Sequence, residues 1–415
     1  MTYEERRKEL LNRMEENSIL VLYSGIEMHV SYDEYAPFEA NRNFFYLTGL
    51  RRENMALVLN KTAGQMSEKL YIEEADPSIE RWTGKMVTVA EAKEAAGIKN
   101  VGYLSELEAV LEQIMRRDEV KTAYFDTFRY QIKDLPDYNL VKANEFSNKY
   151  PGTCIRSCFP LIAEMRMQKD EEEVNRIREA IKLTDLGLQN VMKNLTPGMK
   201  EYQAQADFEY SIKYNGADSV SFLTIAGSGK NGTMLHYETN QDTCEDGTLL
   251  LLDLGAKYKG YCADITRTYP VNGKFSERQR QVYEIVLAAN RKVAAEAKPG
   301  MTTVDLNEIC KKELAAGCIR LGLIEKEEEI GKYYMHGVSH HLGIDVHDVT
   351  VESNKKLRPG AVITDEPGLY IDEWKIGIRI EDDLLITEQG CEVLSEAIIR
   401  TPEEIEAFMA KEKNA

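Results

Sequence analysis

The chain has 415 residues, of which 43% are hydrophobic and 29% charged, so it is long enough for two domains and too apolar to be disordered. Its formal net charge of −18 argues against nucleic-acid binding, because no basic stripe is available to contact phosphates. The charged N-terminus lacks a signal-peptide core, and no stretch reaches the roughly 20 apolar residues of a membrane span. Seven scattered cysteines without a CxxC motif are typical of a reducing compartment, so we expect a cytoplasmic protein.

The first part of the chain alternates strand-like and helix-like segments. After an amphipathic N-terminal helix, the runs SILVLYSG, MALVLN, EKLYIEEA and KTAYFDTF predict strands, and TVAEAKEAAG and SELEAVLEQIMRR predict helices. This alternation predicts an α/β domain. Beyond Pro160 the pattern changes, and Asp170 followed by Glu173 predicts a capped helix. We therefore expect two domains, 1–160 and 161–415.

The second part contains an internal repeat. NLTPGMKEYQAQADFEYSIKYNGA resembles AKPGMTTVDLNEICKKELAAGC, and each segment follows a long helical stretch and opens another helix. Each then leads through a loop to an apolar strand, TLLLLDLGA or AVITDEPGL. Two copies of about 100 residues predict a pseudo-twofold domain of two α/β halves, not a solenoid. The closing TPEEIEAF, with threonine as N-cap and proline at the first helical position, predicts a final helix.

Acidic residues follow turn glycines at the same offsets in both halves. Each half has one acid six residues after a glycine and another four residues after a second glycine: Asp253 after Gly247 and Asp264 after Gly260, then Glu366 after Gly360 and Glu381 after Gly377. Taken alone, each carboxylate has an ordinary alternative, an exposed turn or a surface ion pair. Two independent surfaces would not be expected to match in this way. The repeat therefore predicts that the four carboxylates face one centre.

The strands around these acids show which side chains lie together. Asp253 ends an apolar run and Asp264 lies on the next strand-like stretch, so a hairpin between them would bring the two carboxylates together. In KIGIRIEDD the period of two places Arg379 and Glu381 on one face. Cys262 shares the strand face of Asp264, either as a small buried residue or as a thiol that makes the site sensitive to oxidation.

The segment HGVSHHLGIDVHD holds four of the six histidines. One of them, His340, completes the set, since four carboxylates and an imidazole can hold two divalent cations around a shared water, which predicts a two-metal hydrolase. His236 and His347 precede the first glycine of their halves at similar distances and are candidate partners across the site. No role is expected for His341 or His29. GSGKNG matches GxGxxG only by its letters, without a βαβ context, and HExxH is absent.

These segments resemble the Xaa-Pro aminopeptidases (aminopeptidase P) and the related Xaa-Pro dipeptidases (prolidases) of the pita-bread metallopeptidase superfamily. The matching segments span nearly the whole chain: NRNFFYLTGL, AEMRMQKDEEEV, AGSGKNGTMLHY, LLLDLGAKYKGYCADITRTYPV, HGVSHHLGIDVHD, TDEPGLY and GIRIEDDLLIT. The resemblance implies an α/β (α+β) fold class, with a creatinase-like N-terminal α/β domain followed by a pseudo-twofold pita-bread catalytic domain.

The resemblance also implies a set of site residues. The implied metal ligands are Asp253, Asp264, His340, Glu366 and Glu381. The implied catalytic residues are His236, His336, His347, Glu366 and Arg379, and the implied substrate-binding residues are His236, His336, His347 and Tyr370. Two divalent cations per subunit are expected, Mn²⁺ first and Co²⁺, Zn²⁺ or Fe²⁺ as alternatives, because such ligands suit these ions. Trp82 is similar to a tryptophan that reaches a neighbouring subunit's site in some members.

The implied function is hydrolysis of the Xaa-Pro bond at the N-terminus of peptides by a hydroxide that bridges the two cations. The implied partners are proline-containing peptides and further copies of the chain, as a homodimer or homotetramer. Three alternatives remain. The first is a prolidase, which cleaves Xaa-Pro dipeptides. The second is a methionine aminopeptidase, against which the N-terminal domain and the HGxxH…H pattern count. The third is a non-catalytic peptide-binding protein, against which all five ligands count.

Overall fold

The chain folds as two units, Met1–Arg166 and Met167–Ala415, in a computed structural model that describes residues 1–117, 119–351 and 355–413. The first unit is built on one mixed sheet of six strands in the order β4-β3-β2-β1-β5-β6. Its elements in chain order are α1 (Tyr3–Arg13), β1 (Ser18–Tyr23), α2 (Arg42–Thr48), β2 (Ala56–Thr62), β3 (Gln65–Ile72), α3 (Pro77–Thr83), α4 (Val89–Ala96), β4 (Val101–Tyr103), α5 (Leu104–Arg117), β5 (Thr122–Phe125), α6 (Tyr138–Lys149), β6 (Cys154–Ser157) and α7 (Phe159–Arg166).

The first unit follows from its local sequence. The run SILVLYSG becomes the central strand β1, whose four aliphatic side chains are fully buried. Helix α1 begins with a capping box in which Thr2 and Glu5 bond each other's backbone N–H groups. Its Arg7 is fully buried, and its guanidinium donates to the Glu68 carboxylate (2.7 Å) and to three backbone carbonyls. These bonds fix α1 against the sheet and confirm the predicted α/β character of this part.

The second unit consists of two similar halves. Each half has a pair of helices followed by strands. Its elements are α8 (Glu171–Asn194), α9 (Glu201–Tyr214), β7 (Ser219–Val220), β8 (Ile225–Ser228), β9 (Leu249–Leu254), β10 (Ala256–Tyr258), β11 (Tyr261–Cys262), β12 (Ile265–Pro270), α10 (Glu277–Glu296), α11 (Thr303–Arg320), β13 (Val362–Asp365), β14 (Gly368–Ile371), β15 (Ile376–Arg379), β16 (Asp382–Ile386), β17 (Cys391–Val393) and α12 (Pro402–Lys413). Within the described residues, no helix combines the length and apolarity that crossing a bilayer requires.

Two antiparallel ladders carry the acidic residues of the second unit. Strand β9 pairs with β12 and places Asp253 opposite Thr266, while β13 pairs with β16. The ladders are joined across the centre, because the Glu381 N–H donates to the Thr266 carbonyl (3.0 Å) and the Asp264 N–H donates to Asp383 Oδ2 (3.3 Å). In each case the residue two positions after one acid accepts a bond from the backbone of the other acid. The two halves therefore present their acids to the same space.

The glycines of the repeat do not all act as expected. Three of them have the positive φ of a turn: Gly247 (74°), Gly260 (83°) and Gly360 (88°). The prediction that Gly377 is also a turn glycine is wrong, since it lies inside β15 and the turn before that strand uses Lys375 (φ 52°). A Cβ on Gly377 would overlap the backbone carbonyl of Gly232, in the loop GSGKNG. Gly377 is needed for close packing of two backbones.

This packing predicts that Gly377→Ala destabilises the protein by about 2 kcal/mol or more, because neither backbone can move without disturbing its own hydrogen bonds. Gly331→Ala is the matched control, since a Cβ there meets nothing within 4 Å. Thermal unfolding of both variants measures the difference. Equal melting temperatures for the two variants would contradict the close approach.

Candidate metal centre

The four carboxylates and His340 gather at the centre of the second unit. Ligand atoms of Asp264, His340 and Glu381 lie within 4.8 Å of one another. His340 Nε2 is 3.4 Å from Asp264 Oδ2 and 3.6 Å from Glu366 Oε1. Asp253 joins the group through Arg379, whose Nη2 is 2.6 Å from Asp253 Oδ2. All five predicted ligands thus occupy one site, although they come from three separate stretches of chain.

The orientation of His340 suits a metal ligand. Its Nδ1 is 3.1 Å from the His341 carbonyl, to which a protonated Nδ1 donates. That bond leaves the Nε2 lone pair facing the carboxylates. The His340 backbone is itself held by β13, because its N–H donates to Thr364 Oγ1 (3.1 Å) and its carbonyl accepts from the Thr364 N–H (2.9 Å). The ring therefore points at the acids before any ion binds.

The electrostatics of the acids require added positive charge. Burial raises the pKa of Glu366 to about 7, with Asp264 and Asp253 adding to the rise against the lowering effect of His340 and Arg379. Burial, and then the neighbouring acids, also raise the pKa values of Asp264 and Glu381 well above their ordinary range. Without cations the site has to hold protons instead.

The donor set fits divalent cations. Four ionised carboxylates carry four negative charges, and Arg379 supplies one positive charge beside them. Asp253 Oδ1 is buried and has no hydrogen-bond partner among the described residues, so its lone pairs are available to a cation. Oxygen ligands with a single imidazole match the preferences of hard or borderline divalent ions. Two such ions would balance the four carboxylates.

A chain of three side chains borders the acids. Arg379 Nη1 donates to the Tyr370 hydroxyl (2.9 Å), which lies 2.8 Å from His336 Nε2, and His336 Nδ1 is 2.7 Å from the Gly337 carbonyl. Burial lowers the pKa of His336 to about 4 and raises that of Tyr370 to about 12. His336 is therefore neutral at pH 7, and its 3.7 Å approach to Glu366 is a polar contact, not an ion pair.

Comparison with known proteins identifies the family. The model of metallopeptidase family M24 matches residues 175–388, and that of the aminopeptidase P N-terminal domain matches residues 3–124. The chain belongs to metallopeptidase family M24. This confirms the predicted family and fold class, an aminopeptidase P N-terminal domain followed by a pita-bread peptidase domain. It also confirms the prediction of an enzyme, a metallo-aminopeptidase.

Individual M24 relatives agree over the full length. The chain is 35% identical to the Xaa-Pro aminopeptidase of Escherichia coli K12, covering 98% of this chain and 97% of that protein. It also matches a Bacillus anthracis structure provisionally named as aminopeptidase P, with a TM-score of 0.97, 44% identity and 99% and 98% coverage. A zinc-substituted E. coli aminopeptidase P in complex with product matches with a TM-score of 0.89, 33% identity and 99% and 98% coverage.

The two remaining predicted site residues are exposed to solvent beside the acids. His236 and His347 are both exposed, and the His347 ring lies 4.4 Å from that of His340, nearly perpendicular to it. Partial burial, with His340 and His236 nearby, lowers the pKa of His347. His341, for which no role is expected, is buried, and its Nδ1 has no hydrogen-bond partner in the described part of the chain.

Cys262 does not lie on one strand face with Asp264, contrary to the prediction. Asp264 lies in the irregular stretch between β11 and β12, so strand alternation does not relate it to Cys262. The Cys262 sulfur faces the Ile344 carbonyl at 3.4 Å, and the residue is 2% exposed. Sensitivity of this thiol to oxidation stays a prediction.

Thr266 is the residue of this site that the sequence reasoning missed. Its hydroxyl donates to Glu381 Oε2 (2.7 Å) and accepts from Arg379 Nε (3.0 Å), and its side chain is fully buried. The available signal is its position two residues after Asp264, within the segment ADITRTYPV that the family resemblance includes. Thr266 thus orients both the carboxylate of Glu381, a predicted ligand, and the neighbouring guanidinium of Arg379.

Replacement of Thr266 by valine is expected to weaken Mn²⁺ binding about 10–100-fold, since Glu381 loses the bond that orients it. Thr266→Ser, which keeps the hydroxyl, is the matched control. Isothermal titration of the metal-stripped proteins with Mn²⁺ measures both affinities. Unchanged affinity in the valine variant would show that Glu381 does not depend on this bond.

The pKa of Glu366 also predicts how cation binding depends on pH. In the metal-stripped protein, folded Glu366 keeps a proton between its ordinary pKa and about 7, so the stability of that form falls as pH rises through this window. Cations displace these protons, and therefore the rise in melting temperature on adding Mn²⁺ should grow from pH 5.5 to pH 8. Scanning fluorimetry with EDTA or with Mn²⁺ tests this, and a pH-independent rise would contradict it.

Proposed function

We propose that the protein is a two-cation Xaa-Pro aminopeptidase, which removes the first residue of peptides whose second residue is proline. The observation that supports this most is the set of four carboxylates and His340, buried or partly buried, in an M24 chain. The Xaa-Pro specificity is supported by relatives of that name that match over almost the full length. We propose that the N-terminal domain, expected over 1–160, extends to Arg166 at the end of α7, and that the catalytic domain, expected over 161–415, begins at Met167.

We propose that five side chains hold the cations: Asp253, Asp264, His340, Glu366 and Glu381. Mn²⁺ is the preferred ion, with Co²⁺, Zn²⁺ or Fe²⁺ as alternatives. When bound, the ions supply Lewis acidity and an activated water near neutral pH. The chain's own contribution is to hold the acids ionised and oriented, through Arg379 on Asp253 and Thr266 on Glu381.

In this proposal Glu366 is the proton acceptor of the site. Its carboxylate lies among the proposed ligands, where it can take a proton from the attacking water. Its two oxygens face His340 and His336, at 3.6 and 3.7 Å.

The remaining residues bind and orient the peptide. His236 and His347 are exposed at the open side, where they can donate to the carbonyl oxygen of the scissile bond and to the peptide backbone. Each such donor contributes about 2–4 kcal/mol to the stability of the tetrahedral intermediate. His336 and Tyr370 are bonded to each other, so they line the site as one unit with Arg379. Arg379 supports proton movement along this unit.

Two properties of the enzyme outside the site are also proposals. We propose a homodimer or homotetramer, to which Trp82 in α3 contributes, since its side chain is 89% exposed. We also propose a cytoplasmic location, supported by seven scattered cysteines without a CxxC motif.

A substrate comparison tests the proposed function. The Mn²⁺-loaded enzyme should cleave Ala-Pro-Phe well, Ala-Pro poorly and Ala-Ala-Phe very poorly, as measured by release of alanine. EDTA should abolish turnover and Mn²⁺ should restore it. Glu366→Ala should lower kcat about 1,000-fold or more, because a cation ligand and the proton acceptor are lost together. Glu388→Ala, an exposed acid in the same unit, should retain full activity.

Each alternative gives a different result. Preference for Ala-Pro over the tripeptide would identify a prolidase, and preference for an N-terminal methionine over proline in second place would identify a methionine aminopeptidase. Peptide binding without turnover and without bound metal would identify a binding protein. Peptidase activity that resists chelation would refute the two-cation proposal.

A further inference from the structure

A buried ion pair joins Lys169 to Asp348, the last residue of the segment HGVSHHLGIDVHD (336–348). This histidine segment also carries His340 and His347. Lys169 Nζ is 2.9 Å from Asp348 Oδ2, and both side chains are only 1% exposed. Burying two charges costs about as much as their attraction returns, so such a pair adds little net stability over an apolar pair of the same size. Its physical advantage is geometric, because neither charge can leave the other without a large penalty.

The lysine is fixed to the strand that leads to Glu366. The Lys169 N–H donates to the Gly360 carbonyl (2.7 Å), and Gln168 Nε2 donates to the Pro359 carbonyl (3.0 Å). Gly360 lies two residues before β13, and Glu366 directly follows that strand. The ammonium group therefore has a defined position relative to one of the proposed ligands.

Asp348 holds the end of the histidine segment against an earlier part of the same segment. The Asp348 N–H donates to the His341 carbonyl (2.8 Å), while His341 bridges to Ile363 of β13. Gly343 lies inside the closed segment, and a Cβ on it would overlap the Asp348 carboxylate and lie 2.9 Å from Lys169 Cε. The ion pair thus fills the space at the base of the segment.

His347 lies in a loop that is also held by Cys262, whose N–H donates to the Gly343 carbonyl (2.8 Å). Residues 343–349 form no helix or strand, and His347 itself is exposed. Its neighbour Asp348 is buried, so the buried carboxylate sets where the next side chain emerges. The His347 ring stands 4.4 Å from the His340 ring, on the open side of the acids.

We propose that Lys169 and Asp348 are positioning residues that hold His347 in place to donate to the substrate carbonyl, an inference that rests on the proposed function. An apolar pair would fill the same volume but would not fix the segment in one register. A histidine displaced by about 1 Å would lose up to about 100-fold in rate.

A double-mutant cycle tests this positioning role. The first variant is Lys169→Met/Asp348→Asn, which removes both charges while nearly preserving shape, and the second is His347→Ala. The double substitution should lower kcat/KM about 10–100-fold when His347 is present and less than about 2-fold in the His347→Ala background. Mn²⁺ affinity should change less than about 3-fold. Val191→Ala, at a fully buried position in α8, is a control for destabilisation without loss of turnover.

Deuterium exchange of peptides covering 341–348 gives a readout that does not depend on activity, and Asp348→Asn alone serves if the double substitution does not fold. Faster exchange there, together with coupling to His347, supports the proposal. Equal losses in both backgrounds, weaker Mn²⁺ binding or unchanged exchange would overturn it. If wild type and His347→Ala have equal kcat/KM, the role assigned to His347 in the proposed function fails instead, and exchange still reports on the ion pair.

Discussion

Carboxylates that are buried side by side repel one another and lose their hydration, so a protein that gathers four of them must supply positive charge. Burial together with mutual repulsion raises the pKa values of Asp264, Glu366 and Glu381. Arg379 offsets only one charge, through Asp253. The second unit is arranged around this repulsion, since the backbone N–H groups of Asp264 and Glu381 donate the hydrogen bonds that join the two halves.

Further buried charged side chains, which are not predicted site residues, hold the backbone that carries the acids. Arg267 is fully buried and donates to the Glu381 carbonyl (2.6 Å) and to Asp382 Oδ1 (2.7 Å). Arg400 donates to the other oxygen of Asp382 (3.0 Å). These bonds fix the backbone that carries Glu381, while Thr266 fixes its side chain. The Lys169–Asp348 pair holds the histidine segment in a comparable way. Buried charged side chains therefore hold both the backbone of Glu381 and the segment of His340.

Much of this was visible in the sequence, for definite physical reasons. Alternation of apolar runs marked the strands of the first unit, and the repeated offsets predicted that Asp253, Asp264, Glu366 and Glu381 meet. What was missed depends on contacts between distant residues. The sequence shows only the offset of Gly377, which predicts a turn, whereas its backbone neighbour Gly232 lies 145 positions earlier (377 − 232). Thr266 was missed because its partner Glu381 belongs to the other half.

We infer that two cations share one site formed by five side chains: Asp253, Asp264, His340, Glu366 and Glu381. Anomalous diffraction from crystals grown with Mn²⁺, recorded on both sides of the manganese absorption edge, tests it directly. We expect two anomalous peaks per subunit, both in contact with Asp264 and Glu381 and at least one in contact with His340. Crystals that bind Mn²⁺ elsewhere, or that show no anomalous peak among these side chains, would contradict the claim.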